Sequence, residues 1–247
     1  MPKQFFFGAG TLYGLDNSTP TPTPVKFGTL QDVSVEFSAD VKELYGANQF
    51  PAHIGRGKNK ITCKAKLGQI QGAMLNNLYF GLPLSTGELL SAQKEAHNIP
   101  ASTPFTVTVA NTTAFAQDLG VVYAATGAPL TQVPSAPTMG QYSVGAGGVY
   151  TFAAADEGAA ILIDYLYNSP TTGGTIAISN QPMGLTPTFK AVLTGVTGGY
   201  TMTLVLNQCI SSKLTLPTKN EDHLIVEFDF SAMADQNDNI GTLTMTE

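Results

Sequence analysis

The sequence predicts an all-β fold with one flanking α-helix, because its composition and two sharply alternating segments both point that way. Glycine (25) and proline (15) are frequent among the 247 residues, and charged residues make up only 12%. That composition is typical of short strands joined by turns. In residues 31–38, Val33, Val35 and Phe37 alternate with polar side chains, the period-2 pattern of a half-buried strand. Residues 60–67 alternate in the same way and predict a second strand.

The polar faces of these two predicted strands carry opposite charges. The first shows Asp32 and Glu36, and the second shows Lys60, Lys64 and Lys66. If the strands pair antiparallel, opposite charges become cross-strand neighbours, and each such pair contributes about 0.2–1 kcal/mol.

The segment between these strands, residues 41–59, is too long for a tight hairpin and predicts an extended excursion. It contains aromatic residues and the one arginine of the sequence, residue types that are enriched at protein interfaces. The candidate interface residues are Leu44, Tyr45, Phe50, Pro51, His53, Ile54 and Arg56. A surface loop folded onto its own domain is the alternative interpretation.

Residues 69–80 predict the one amphipathic helix. Apolar side chains recur at helical spacing, at Ile70, Ala73, Met74 and Leu78, and Gly81 follows as a stop signal. Such a stripe is usually a packing face, so we expect the helix to cover one sheet of the core.

The middle of the chain predicts an inserted β-sandwich. No lysine or arginine occurs between Lys94 and Lys190, and short strand patterns alternate with Gly/Pro turns. These patterns cover residues 105–109, 119–124, 141–144, 149–152 and 160–167. Strands resume at residues 175–179, 188–193, 200–206, 224–230 and 240–245. We therefore predict a main domain in two parts, residues 1–98 and 175–247, with an insert at 99–174.

Charge and hydropathy exclude several classes of partner. The formal net charge is −6, whereas a surface that grips nucleic acid needs clustered lysine and arginine. No apolar run approaches the ~20 residues of a membrane span, and the start of the chain does not match an export signal. Cys63 and Cys209 lie on apolar strand faces without metal-binding spacing, so we expect buried free thiols.

No motif in the sequence supports catalysis or a cofactor. Residues 235–241 begin like a calcium loop, but Ile240 stands where the turn requires glycine, so a polar turn is the favoured interpretation. The histidines His53, His97 and His223 form no pair with metal-ligand spacing. We therefore expect no enzyme activity, no metal and no cofactor.

Three runs near the start and two near the end of the chain resemble tail tube (major tail) proteins of long-tailed bacteriophages. They are DVSVEF (32–37), KELYGANQFP (42–51), RGKNKITCKA (56–65), LPTKNED (216–222) and EFDF (227–230). The similarity covers roughly the first and last thirds of the sequence. The middle resembles the small immunoglobulin-like inserts that such proteins carry.

The resemblance implies a fold of two packed antiparallel sheets with a helix beside them. Six subunits would close into a ring around a shared inner β-barrel, and rings would stack into a tube that conducts DNA. The excursion of residues 41–59 would reach a neighbouring copy. The candidate bore residues are Asp32, Glu36, Glu227 and Asp229, which would form a mildly acidic wall that repels phosphate.

The resemblance also implies partners and a location. The protein would associate with copies of itself, with a tape measure protein and with tail terminator or baseplate proteins. It would let DNA pass without specific binding, and it would reside in the virion tail after assembly in the bacterial cytoplasm. Two alternatives remain: a receptor-binding or capsid-decorating module in which the insert does the binding, and a tube subunit of a bacterial secretion or contractile injection apparatus.

Overall fold

The computed structural model describes residues 8–18, 20–69, 71–218 and 220–246. The chain folds as two compact units, the first formed by Met1–Leu84 with Ile176–Glu247 and the second by Ser85–Thr175. The second unit is thus inserted into the first. It begins at Ser85, whereas the sequence placed its start at residue 99, because its opening strand lacks a clear alternating pattern.

The described residues are mostly strand and confirm the all-β fold class. In chain order, the strands are β1 (Thr11–Asp16), β2 (Val25–Lys26), β3 (Leu30–Tyr45), β4 (Pro51–Leu67), β5 (Leu84–Asn98), β6 (Thr106–Thr108), β7 (Phe115–Tyr123), β8 (Thr131–Gln132), β9 (Gln141–Gly145), β10 (Val149–Phe152), β11 (Ala160–Ile176), β12 (Thr188–Thr197), β13 (Tyr200–Thr215), β14 (Val226–Met233) and β15 (Gly241–Met245). Short 3-10 turns occur at Thr112–Ala114 and Ala154–Asp156.

The first unit is built on one eight-stranded sheet. Its strand order is β2-β1-β12-β13-β14-β4-β3, and β15 pairs with the N-terminal half of β13. The neighbouring strands of this sheet, including β13 and β15, pair antiparallel within the described residues. The two predicted strands, residues 31–38 and 60–67, do pair antiparallel, with Asp32 opposite Lys66 and Ser34 opposite Lys64.

The sheet folds over so that its two ends share one core. The ring of Phe27, beside β2, lies 5.6 Å from that of Phe228 in β14, and the ring of Phe189 in β12 lies 5.3 Å from that of Phe230. Burial of these rings together with the aliphatic side chains of the same core provides the hydrophobic driving force of this unit. Cys63 and Cys209 are buried in the same core as free thiols, as predicted.

A short helical segment covers this core. α1 (Gly72–Leu75) continues as a π-helical turn, Asn76–Phe80, and ends at Gly81 with φ +60°, a left-handed cap that suits glycine. Met74 and Leu78 are fully buried, as the sequence predicted; Ile70 and the Ala73 side chain lie outside the described residues. Gly14 of β1 provides space for Leu78, whose Cδ1 atom would lie only 2.6 Å from a Cβ at that position.

The inserted unit has a core of its own between two small sheets. One sheet has the order β6-β10-β9-β8 and the other β5-β11-β7. Alternate residues of β11, namely Ile161, Ile163 and Tyr165, are fully buried and pack with Tyr150 and Phe152 of the other sheet.

Buried tyrosine hydroxyls in the insert donate to carboxylates. Asp118 accepts hydrogen bonds from Tyr142 (2.6 Å) and Tyr150 (2.7 Å), and the buried Asp156 accepts one from Tyr123 (2.7 Å). Burial, followed by the bond to Asp156, raises the pKa of Tyr123 to about 12. Burial, and to a lesser extent the hydrogen bond to Asp118, raises the pKa values of Tyr142 and Tyr150 still further. These phenols therefore remain neutral donors in the folded state.

Glu95 of β5 connects three parts of the insert. It accepts hydrogen bonds from the Tyr165 hydroxyl (2.6 Å) and the Ala110 amide (2.8 Å), and it pairs with His97 Nε2 at 2.7 Å. Burial favours the neutral acid, but these bonds outweigh it, and the net effect lowers the pKa of Glu95. The ionised carboxylate is thus the form that the fold stabilises.

Candidate subunit interface

Segments of four strands form an antiparallel ribbon with one buried and one polar face. We define the ribbon as residues 30–37 of β3, 61–67 of β4, 226–231 of β14 and 211–215 of β13. Its inner face is apolar because alternate residues enter the core: Cys63, Ala65, Leu67, Val226, Phe228 and Phe230 are all buried. Side chains between them point away from the core, since successive residues of a strand face opposite sides.

The outer face of the ribbon collects all four candidate bore residues. One cross-strand row consists of Asp32, Lys66, Glu227 and Thr215, and the next consists of Ser34, Lys64, Asp229 and Lys213. Glu36 lies one step along β3, opposite Thr62. The sequence thus predicted which acids share a face, although they are distant along the chain.

The same face also carries lysines. Lys66 lies between Asp32 and Glu227, Lys64 lies between Ser34 and Asp229, and Lys213 Nζ is 3.1 Å from Glu227 Oε2. Within the ribbon, four carboxylates accompany three ammonium groups, a formal charge of −4 + 3 = −1, and Lys60 lies just beyond the ribbon, opposite Ser38. The register therefore gives a polar face on which lysines offset most of the acidic charge.

Both long edges of the ribbon are unpaired within the described ranges. β3 ends the strand order of its sheet and is paired only with β4. On the other side, β12 pairs with β13 only as far as Ile210, which leaves residues 211–215 bonded to β14 alone. Because four antiparallel strands alternate in direction, the two edges run in opposite directions. Unpaired edges offer rows of backbone donors and acceptors to another chain.

Beyond the core, β3 and β4 continue as a long hairpin arm, which we define as residues 38–60. The sequence predicted that residues 41–59 form an extended excursion between the two strands; instead, the strands stay paired up to Tyr45 and Pro51, with a turn at residues 46–50. Two register shifts, between Ala39 and Val41 and between Leu44 and Tyr45, mark β-bulges, which add local twist. The 19 residues 41–59 thus belong to a long, twisted hairpin rather than a tight one.

The arm leaves large apolar side chains in solvent. Leu44, Tyr45 and Ile54 are 57–64% exposed, and Phe50 at the turn is 83% exposed. The register places Tyr45, Pro51, Ile54 and Arg56 on the continuation of the inner face, whereas Leu44 and His53 lie opposite each other on the outer face. All seven candidate interface residues therefore lie on the arm and none contributes to the core clusters.

Three features of this site were not predicted from the sequence. They are Lys213 on the outer face, the free edge at residues 211–215, and Phe37, which is 61% exposed although it continues the apolar alternation of β3. The alternating pattern of residues 31–38 predicted the correct face for Phe37, but it could not show where along the strand the buried core ends.

The calcium-like segment forms a polar turn. Asp235 Oδ1 accepts hydrogen bonds from the backbone amides of Asn237 and Asn239, each 2.9 Å long. These bonds lower the pKa of Asp235, and the carboxylate is used within its own loop. Across residues 8–18, 20–69, 71–218 and 220–246, no group of three or more metal-ligating side chains converges.

Comparisons with known protein families and with curated proteins give no match. No model of a known protein family matches the chain, and no curated protein matches it significantly. Among the described residues, no helix is long and apolar enough to cross a membrane.

Proposed function

We propose that this protein is the structural subunit of a bacteriophage tail tube. Copies associate edge to edge into a six-membered ring, and rings stack into the conduit through which DNA leaves the virion. The proposal combines the sequence resemblance with one structural observation, the ribbon with two unpaired edges of opposite direction.

The two edges can complete each other in a neighbouring copy. The β3 edge of one copy and the 211–215 edge of the next run antiparallel when both copies have the same orientation, so head-to-tail association extends the sheet with the same hydrogen-bond pattern. Six ribbons of four strands would give about 24 strands, which at about 4.8 Å spacing and about 40° tilt close at a diameter of about 48 Å. Ring closure also removes edges that would otherwise aggregate.

In such a ring, the outer face of the ribbon lines the bore. Its nearly balanced charges support passage of DNA, because phosphate would be neither held by a basic surface nor strongly repelled by an acidic one. The inner face already packs against the core, so the polar face is the one available to the channel.

The remaining parts of the chain fit around this ring. The arm contacts adjacent copies, and the insert decorates the outside of the tube. By the resemblance, the tube encloses a tape measure protein, meets terminator and baseplate proteins at its ends, and resides in the virion tail. No catalytic step and no cofactor belong to this function.

Electron microscopy of the purified full-length chain tests the proposal. We expect six-membered rings or tubes, and sedimentation should show a species much larger than one copy. Only monomers or trimers, over a range of protein concentrations, would overturn the proposal and favour a receptor-binding or decorating module.

A further inference from the structure

The arm and a surface cavity lie at opposite ends of the first unit. The arm continues β4 past Ile61, the last residue of β4 that pairs with β14. At the other end, β4 stops at Leu67 and leads into the helical segment. Copies stacked in one orientation would therefore bring the arm of one copy to the helical end of the next.

The cavity at the helical end is partly apolar. Its volume is about 310 Å³, and Phe80, Leu82, Leu185 and Pro187 line it together with polar residues that include Asp16. A second cavity, of about 250 Å³, adjoins it and shares several of these residues. An apolar cavity of about 150 Å³ is known to hold a benzene molecule, so this one has room for a phenyl ring.

Exposed apolar side chains occur at both cavities. Leu185 lines both and is 67% exposed, and Ile178 lines the second and is 74% exposed; Met183, two residues before Leu185, is fully exposed. Exposed apolar surface beside a cavity is typical of an interaction site. The segment that carries these side chains, residues 177–187, has no strand or helix of its own.

The arm supplies a matching side chain and a matching charge. Phe50 is the most exposed aromatic residue among the described large hydrophobics, and it lies at the arm's turn. Residues 38–60 contain three lysines and one arginine against two acids, a net charge of 4 − 2 = +2. The helical end presents Asp16 at the cavity and the exposed Glu221 and Asp222 in the connection from β13 to β14.

We infer that the arm of one copy inserts Phe50 into this cavity on the next copy along the tube axis. The aromatic ring leaves water, and the basic arm approaches the acidic end, which adds attraction at low salt. This inference rests on the proposed function and specifies the receiving site for the arm. The contact joins two different surfaces, the arm of one copy and the cavity of the next, and is therefore heterologous. Such a contact can repeat without limit along the tube axis.

Disulfide cross-linking of the full-length protein tests the contact. The double variant Phe50→Cys/Gln181→Cys carries one thiol at the arm's turn and one at the cavity, where Gln181 is exposed. Under mild oxidation, we expect a ladder of covalent multimers on a non-reducing gel, because each copy would be linked to the next. The native Cys63 and Cys209 are buried and do not contribute to a ladder.

Three controls define the result. We expect no ladder beyond dimers from Phe50→Cys alone, from Gln181→Cys alone or from Phe50→Cys/Gln236→Cys. Gln236 is also exposed, but it lies in the connection between β14 and β15.

As an independent measurement, Phe50→Ala should leave rings intact but shorten or abolish tubes, with an unchanged circular dichroism spectrum. Raising the salt concentration should weaken stacking of the wild-type rings.

The possible failures are distinguishable. If wild-type rings stack, but the double variant gives no ladder and Phe50→Ala forms tubes of normal length, the arm does not use this cavity and the tube proposal stands. If the wild-type protein forms neither rings nor tubes, the tube proposal itself fails.

Discussion

At the scale of single residues, the insert depends on carboxylates that accept hydrogen bonds from buried phenols. Asp118 accepts from Tyr142 and Tyr150, whose rings are 3% and 0% exposed, and from the Gly120 amide. Without a partner, each buried hydroxyl would carry its full desolvation cost. These contacts fix the orientation of both tyrosine rings as well as stabilising the fold.

Replacing this acceptor should destabilise the insert strongly. We expect Asp118→Ala to lower the free energy of unfolding by about 2–4 kcal/mol, because two buried hydroxyls lose their acceptor at about 1–3 kcal/mol each. Urea unfolding followed by tyrosine fluorescence measures the change. Glu157→Gln, at an exposed acid of the same unit, should change it by less than about 0.5 kcal/mol. Equal effects of the two substitutions would show that the Asp118 network adds no stability.

The same tyrosines predict loss of stability in alkali. Their folded pKa values are raised, to about 12 for Tyr123, whereas an unfolded tyrosine titrates near 10. A raised pKa stabilises the neutral folded form fully below about pH 10, and this stabilisation is lost as pH rises from there through the folded values. Urea midpoints at increasing pH should therefore fall above about pH 10. The prediction fails if the urea midpoint is unchanged between about pH 9 and about pH 12.

At the scale of secondary structure elements, β3 combines a core strand, a free edge and one side of the arm. Its first half was predictable from the sequence, because burial of Val33 and Val35 on one side imposes an alternating pattern. The second half of β3 was not predictable, because residues 41–50 are all exposed and no buried core requires alternate side chains to be apolar. The seven arm residues were nevertheless proposed as interface candidates, because the segment contains aromatic and arginine side chains, which are enriched at protein interfaces.

Two other features, strand β5 and the free edge of β13, could not be predicted from the sequence pattern. β5 contains Gly87 and Lys94 at φ +109° and +55°, which interrupt the regular backbone and hide the strand. The free edge at residues 211–215 depends on where β12 begins to pair with β13, so it follows from the strand registers of the folded sheet and not from the local sequence. The shared face of the four acids was predictable, whereas the presence of Lys213 beside Glu227 followed only from the register.

Proline substitutions on β3 should separate folding from assembly. Successive backbone amides of a strand point to opposite edges, so one of Glu36→Pro and Phe37→Pro removes a donor to β4 and the other removes a donor at the free edge. Both side chains are exposed. We expect one variant to lose thermal stability and the other to keep its fold but fail to form rings, as judged by thermal unfolding and sedimentation. If the stable variant assembles like the wild type, the β3 edge does not form the ring contact.

At the scale of the whole molecule, the insert enters and leaves through neighbouring strands. β5 and β11 are adjacent in one sheet, and the Ser85 hydroxyl donates to the Thr175 carbonyl at 3.1 Å. The core clusters of the two units are also separate. A short linker can therefore replace the insert without stretching the chain that remains.

Removing residues 86–174 and joining the ends with a short Gly/Ser linker should leave the tube architecture unchanged. We expect tubes of smaller outer diameter and the same bore in electron micrographs, because the ribbon and arm belong to the first unit. A scrambled insert of equal length is the matched control for mass. Loss of all assembly by a folded deletion variant would assign the insert a role in ring formation instead.

In the proposed tube, the lysines and acids on the outer face of the ribbon would give the lining a zwitterionic character. Most of the fixed charges have an opposite neighbour, so the wall would retain few mobile ions that a travelling polyanion would have to displace. We therefore expect genome release through such a conduit to be nearly independent of ionic strength, even though the stacking of its rings is not.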